Sequence, residues 1–224
     1  MKVLNNHTQI KQIDNTKTGT IMDGVESKGY YSSRLMMSNM GEVVSSELFA
    51  VGDIVVYMSS TDYIYKEHLF IKDCAVFLVN GDLVGDGVIV DKATFEQRST
   101  DHFSLRKMEF FVVTQSRVED VVVDDVVTIR PRACTRFNVD TKEYFFVPTA
   151  SIVLVINAAN GIVAGPEFQK IRVTSNTEFG IDIEDKLMGF KDGQMVYFND
   201  AEFRVTIAGE DYHIVRNDCV YRIG

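Results

Sequence analysis

Short runs of β-branched and aromatic residues recur along the chain. Few windows keep apolar residues at the three- and four-residue spacing of an amphipathic helix beyond two turns. The runs are Ile54 to Tyr57, Val88 to Val90, Phe110 to Val113, Val121 to Ile129, Tyr144 to Val147, Ile152 to Ile156, Lys170 to Val173, Met195 to Phe198, Phe203 to Ile207 and Tyr212 to Val215. Strands of this length, separated by Gly, Asn and Asp, predict an all-β sandwich or barrel. The dipeptides Asn80-Gly81, Asp86-Gly87, Asn160-Gly161 and Asp192-Gly193 put residues tolerant of positive φ where strands reverse. No strand–helix–strand alternation is visible, which argues against a parallel doubly wound sheet.

One pattern recurs three times: a turn with Gly or Asp, an apolar strand, a polar hairpin, an aromatic strand, a short turn and a closing apolar strand. The first copy opens at Gly52-Asp53-Ile54-Val55-Val56-Tyr57 and closes at Ala75-Val76-Phe77-Leu78. The second opens at Asp124-Asp125-Val126-Val127-Thr128-Ile129 and closes at Ser151-Ile152-Val153-Leu154-Val155. The third opens at Gly193-Gln194-Met195-Val196-Tyr197-Phe198 and closes at Cys219-Val220-Tyr221-Arg222-Ile223. The openings lie 72 (124 − 52) and 69 (193 − 124) residues apart. Three domains are therefore expected, over residues 1–82, 83–158 and 159–224. Units this small bury little surface alone, so packing between units or between chains is expected.

Composition narrows the partners. Of 224 residues, 32 are acidic and 23 basic, a formal charge of −9, and no basic run is longer than Arg106-Lys107. That balance opposes phosphate-backbone binding, so nucleic acid is not expected as a partner. The longest strongly apolar run, Ile152 to Ile156, is too short for a membrane helix, and Met1 to His7 lacks the apolar stretch of a signal peptide. A cytoplasmic protein with no membrane partner is expected. Cys74, Cys134 and Cys219 are too few and too scattered for a disulfide framework and are expected as reduced, buried thiols.

The start of the chain and its recurring unit resemble the GroES-type co-chaperonins, small β-barrel proteins that form a lid over chaperonin rings. The resemblance rests on Met1-Lys2-Val3-Leu4, then Thr16 to Gly24, Gly41-Glu42-Val43-Val44, Val51-Gly52-Asp53-Ile54-Val55-Val56-Tyr57, and a closing hairpin at Gly209 to Asp218. It covers the first unit and the C-terminal halves of the others. It implies tandem GroES-like barrels, with a mobile loop between the first two strands that carries a small apolar tripeptide. It also implies a chaperonin ring as partner, a homo-oligomer and no chemistry of its own. A typical member has one unit per chain, where three are expected here, and that departure admits a different assembly.

The stretch Asp14 to Asn39 is the longest without a strand signal, and such loops are usually functional or disordered. Within it Gly19, Thr20, Ile21, Met22, Asp23 and Gly24 are the candidate partner-binding residues, an apolar pair between glycines. Tyr30, Tyr31, Leu35, Met36 and Met37 add contact surface. In the second unit the corresponding loop, Ala93 to Met108, lacks a clear apolar tripeptide. In the third, Gly161-Ile162-Val163-Ala164-Gly165 supplies one on a shorter connection.

Chemistry-bearing patterns are sparse. His7, His68, His102 and His213 have no metal spacing, and His213 is expected to be a hydrogen-bonded structural residue. Gly85-Asp86-Gly87 begins like a dinucleotide fingerprint, but Val90 stands where the third glycine belongs. The acidic turns around Asp120 and Asp125, and at Asp182 to Asp185, match no EF-hand spacing. No catalytic site, metal or cofactor is expected. The expected function is a non-catalytic co-chaperonin that binds a chaperonin through the first loop. The alternative is a structural protein of a larger assembly, such as a virion, built from repeated barrels.

Overall fold

A computed structural model describes residues 6–13, 36–58, 62–65, 68–92, 110–130, 133–139, 142–157, 161–173, 179–182, 195–198, 201–207 and 209–222. The fold is all-β: the described residues form mainly antiparallel sheets joined by turns and short 3-10 segments, with no α-helix among them. The chain divides into two compact units. Unit 1 comprises Met1–Asp91, Val113–Val123 and Pro131–Pro148; unit 2 comprises Lys92–Val112, Asp124–Arg130 and Thr149–Gly224.

One pairing scheme recurs along the chain. In the first stretch the strands are β1 (His7–Ile13), β2 (Met36–Ser45), β3 (Ile54–Met58), β4 (Asp62–Tyr65), β5 (His68–Lys72) and β6 (Val76–Val79). β1 pairs with β2 and β5, β2 with β3, β3 with β6, and β4 with β5, all antiparallel. The ladder thus reads β4-β5-β1-β2-β3-β6. A 3-10 turn, Asp73–Ala75, leads into the closing strand. The two-residue β7 (Asp82–Leu83) then folds back on β6 through Asn80 and Gly81, both at positive φ (51° and 91°), as a tight hairpin with matching twist requires.

The second stretch contains β8 (Gly87–Lys92), β9 (Phe110–Ser116), β10 (Val126–Ile129), β11 (Thr135–Val139), β12 (Lys142–Pro148) and β13 (Ile152–Asn157). β8 pairs with β12, β9 with β10, β10 with β13 and β11 with β12, again antiparallel. Thr114 of β9 donates its hydroxyl to the Ile89 carbonyl of β8, and a 3-10 turn, Thr149–Ser151, precedes the closing strand. β14 (Gly161–Ala164) then folds back on β13. The strands of this stretch are divided between the units: β8, β11 and β12 fall in unit 1, β10 and β13 in unit 2.

The third stretch, all in unit 2, forms one six-stranded sheet ordered β18-β19-β15-β16-β17-β20. These are β15 (Phe168–Val173), β16 (Phe179–Asp182), β17 (Met195–Phe198), β18 (Ala201–Ile207), β19 (Glu210–Arg216) and β20 (Val220–Arg222), with a 3-10 turn at Asn217–Cys219. Registers match between stretches: His7 pairs with Lys72, Gly87 with Pro148, and Phe168 with Arg216.

Each unit has its own core. In unit 1, Ile10, Val43, Val55, Tyr57, Ile71 and Val76 form one cluster. Val56, Phe77, Leu78, Leu83, Ile89, Phe137 and Phe146 form a second, where the Phe77 ring stacks on Phe146 at 4.6 Å and meets Phe137 edge-on at 5.5 Å. In unit 2, Val153, Leu154, Ala164, Phe168, Val205 and Ile214 pack together, and Ile171, Val196, Phe198, Val215 and Val220 make a second cluster.

Several local expectations change. The run Val121 to Ile129 is a strand only from Val126, because Asp120 and Asp124 adopt positive φ (62° and 73°), which breaks extended geometry and leaves Val122 and Val123 exposed. Met36 and Met37 do not belong to a loop: they open β2 and pair in parallel with Thr135 and Arg136 of β11. Cys134 is buried, but Cys74 is exposed, because it sits in the 3-10 turn before β6 with its neighbour Ala75 facing the core.

Candidate partner-binding site

The six candidate residues, Gly19, Thr20, Ile21, Met22, Asp23 and Gly24, lie outside the described residues, as do Tyr30, Tyr31 and Leu35. The structure gives the frame from which that segment departs. β1 and β2 are neighbours in the ladder, and Ile13, the last residue of β1, pairs with Met40 of β2. Residues 14–35 therefore join two adjacent antiparallel strands.

The motif residues on this frame have physical reasons for their identity. Gly41 pairs with Gln12 of β1 and Val55 of β3, and a Cβ there would approach the Ile10 side chain to 2.7 Å. Glycine lets the Ile10 side chain fill the core at that point. Gly52 has φ 92°, the left-handed region that glycine enters without strain. The Asp53 carboxylate accepts a hydrogen bond from the Ala50 amide at 2.9 Å and another from the Asn80 side-chain amide at 2.8 Å, while Asn80 Oδ1 accepts from the Ile54 amide at 2.9 Å. The Val-Gly-Asp motif thus closes the turn before β3 and ties it to the β6–β7 hairpin. Behind the frame, the buried Thr8 hydroxyl donates to Asp73 at 2.6 Å and is hydrogen-bonded to Ser46, which holds β1 to the 3-10 turn.

The other loops behave differently. Ala93 to Met108 lies outside the described residues. The apolar tripeptide expected on a loop at Gly161 to Gly165 is instead strand: Ile162 pairs with Ile156 and Val163 with Val155. Its β-branched residues are recruited to the β13 edge, so it is not available as a presented loop.

Titratable groups in unit 2 form a surface ladder on the β18–β19 hairpin. Arg204 meets Asp211 at 2.5 Å, Thr206 donates to the same carboxylate at 2.6 Å, and the Tyr212 hydroxyl donates to Glu210 at 2.9 Å. In unit 1 Arg136 and Glu143 make the corresponding cross-strand pair on β11 and β12. The hydrogen bonds from Thr206 and Arg204 hold the Asp211 carboxyl below its usual value, and burial, with the acceptor Glu210, raises Tyr212. His213 was expected to be hydrogen-bonded; it is buried, and among the described residues neither ring nitrogen has a hydrogen-bond partner, while its ring centroid lies 5.0 Å from that of Phe198. Burial, then Arg204, lowers its pKa, against the opposing pull of Asp211. Among the described residues no group of three or more His, Cys, Asp or Glu is placed to hold a metal ion. No described helix is long and apolar enough to cross a membrane.

No protein-family model matches the chain, and no curated protein is significantly similar to it.

What the described surface does present is exposed apolar side chains on the turns between second and third strands: Leu48 (66% exposed) and Val51 (75%) before β3, Val122 and Val123 before β10. Sequence reasoning missed these. Val122 and Val123 read as part of a strand, and Leu48 to Val51 is a short apolar run that carries no strand signal of its own.

Proposed function

We propose that the chain is a non-catalytic co-chaperonin-type protein that engages a chaperonin ring through Gly19 to Gly24. The observation that carries this reading is the anchoring of residues 14–35 between β1 and β2, two paired strands of one ladder. A segment tethered at both ends to neighbouring strands can offer Ile21 and Met22 to an apolar groove while its base stays fixed, which limits the ordering cost of binding. The order of elements also supports it: first strand, long connection, Gly41-Glu42-Val43 strand, Val51-Gly52-Asp53 turn, third strand, hairpin, closing strand.

The exposed apolar turns favour a second reading, a structural component of a larger assembly in which Leu48, Val51, Val122 and Val123 are covered by neighbours. One experiment separates the two. The protein is mixed with a chaperonin and ATP and the complexes are weighed by mass photometry. ATP-dependent addition to the ring, abolished by Ile21→Asp with Met22→Asp, is the expected result. Normal binding by the double variant would show that this loop is not the contact. No binding by the unaltered protein would leave the assembly reading.

A further inference from the structure

The third stretch departs from the other two at one core position. The fourth residues of the three first strands, Ile10, Val90 and Ile171, pair in turn with Leu69 on β5, Phe145 on β12 and His213 on β19. On the far side of those partners stand Ile64 of β4, Arg136 of β11 and Arg204 of β18. Phe145 and His213 are buried alike, at 8% and 9% exposed. Each is flanked by the same kind of ion pair, Arg136 with Glu143 on β11 and β12, and Arg204 with Asp211 on β18 and β19. Leucine and phenylalanine therefore meet the packing needs of this place, and His213 adds a group that can take a proton.

The surroundings of His213 receive that proton badly. Its ring is tilted against Phe198, and among the described residues neither nitrogen has a hydrogen-bond partner. From β18 the charged neighbour is Arg204, directly across the ladder. From β19 it is Asp211, whose Oδ2 accepts from Arg204 at 2.5 Å and whose Oδ1 accepts from Thr206 at 2.6 Å, so both oxygens already have donors. By register Asp182 of β16 and Arg222 of β20 share this face, opposite Ile171 and Val196. β15 and β17 contribute the apolar cluster of Ile171, Val196 and Phe198. An imidazolium here needs water. Buried Ile171 closes one side, whereas the Arg204 and Asp211 side chains are 61% and 38% exposed, so water arrives from the β18 side. Among the described residues β18 pairs with β19 alone, while its counterpart β11 pairs with β12 and, through Thr135 and Arg136, with β2.

We propose that β18 is an acid-released strand, parted from β19 when His213 takes up a proton. Its release uncovers buried Val205 and the partly buried Phe203, which pack with Val153, Leu154 and Ile214, so acid gives unit 2 an apolar surface that it lacks at neutral pH. Once released, the ring takes its proton near the ordinary value of about 6.5, whereas the enclosed ring takes it only at a lower pH. Release is therefore favoured as pH falls below about 6.5, by up to about tenfold per pH unit, until the enclosed ring is itself protonated. The device does not depend on the co-chaperonin reading, since Ile21 and Met22 take no part in it.

The test is amide hydrogen exchange of the full chain, read by peptide mass spectrometry between about pH 7.5 and about pH 4.5 and corrected for the intrinsic pH dependence of exchange. The β18 peptide is expected to exchange ahead of the β15 and β17 peptides, and its protection to fall by up to about tenfold per pH unit below about 6.5. His213→Phe, which places here the residue found at Phe145, is expected to remove that fall. If this variant does not fold, His213→Leu, after Leu69, reads the same effect. Equal protection of β18, β15 and β17 at every pH would mean that the proton is taken up only when the whole unit unfolds, and would overturn the proposal. A β18 protection independent of pH would overturn it too. So would a fall that persists without His213, which would trace the effect to Asp211.

Discussion

Phe77 and Tyr221 hold the same place in their closing strands, and truncating each to alanine should have very unequal consequences. Phe77 is 1% exposed between Phe146, stacked at 4.6 Å, and Phe137, edge-on at 5.5 Å. An aromatic side chain buries about 175 Å², worth about 4 kcal/mol at about 25 cal/mol/Å². Measured Phe→Ala costs of about 3–5 kcal/mol include the cavity left behind. Tyr221 is 46% exposed, and its ring centroid lies 6.0 Å from that of Tyr197, its cross-strand partner. Its truncation should cost less than about 1 kcal/mol in the unassembled chain. Urea denaturation followed by circular dichroism reads the difference. With a slope of about 2 kcal/mol/M, Phe77→Ala moves the midpoint of its unit down by about 2 M and Tyr221→Ala by less than about 0.5 M. Equal shifts would refute the argument that burial at this position is supplied by the following stretch of chain.

Two further outcomes follow from the described geometry. Gly165→Ala should destabilise unit 2 by about 3 kcal/mol or prevent its folding, because a Cβ there would lie 1.8 Å from the Ile152 carbonyl oxygen; a variant with unchanged thermal midpoint would contradict the close approach. His213 releases its proton more readily in the folded chain than in the unfolded one, so its contribution is intact above the unfolded value of about 6.5. Stability then falls as pH drops through that value towards the lower folded one, by up to about 1.4 kcal/mol per pH unit. His213→Phe should flatten this window in pH-dependent urea titrations while leaving the fall below pH 4, where Asp211 titrates, in place. An unchanged slope between pH 7 and 5 would remove His213 as its source.

The all-β class was legible because strand formation is a local matter of alternation and β-branching. Met195 to Phe198 is a strand with the bounds the pattern predicts, and most others differ by a residue or two. Failures came where backbone conformation or pairing overrides local preference. Val121 to Val123 has strand composition but sits between residues of positive φ. Met36 and Met37 read as loop because nothing in their own sequence announces a parallel partner in β11. Ile162 and Val163 read as a presented tripeptide until the β13 edge claimed them. Ile21 and Met22 were singled out by composition alone, and the role proposed for them rests on the strands that bracket the segment.

Most of the strands, the turns that need glycine or asparagine, and the near-constant spacing of the recurring unit are set by neighbours in the chain and could be read from it directly. Tertiary structure alone decided which strand lies against which, and therefore which equivalent residues are core and which are surface. Phe77 and Tyr221 are both aromatic residues in apolar strands, and nothing local separates them. Burial depends on what packs from far along the chain, so the difference became visible only in the fold.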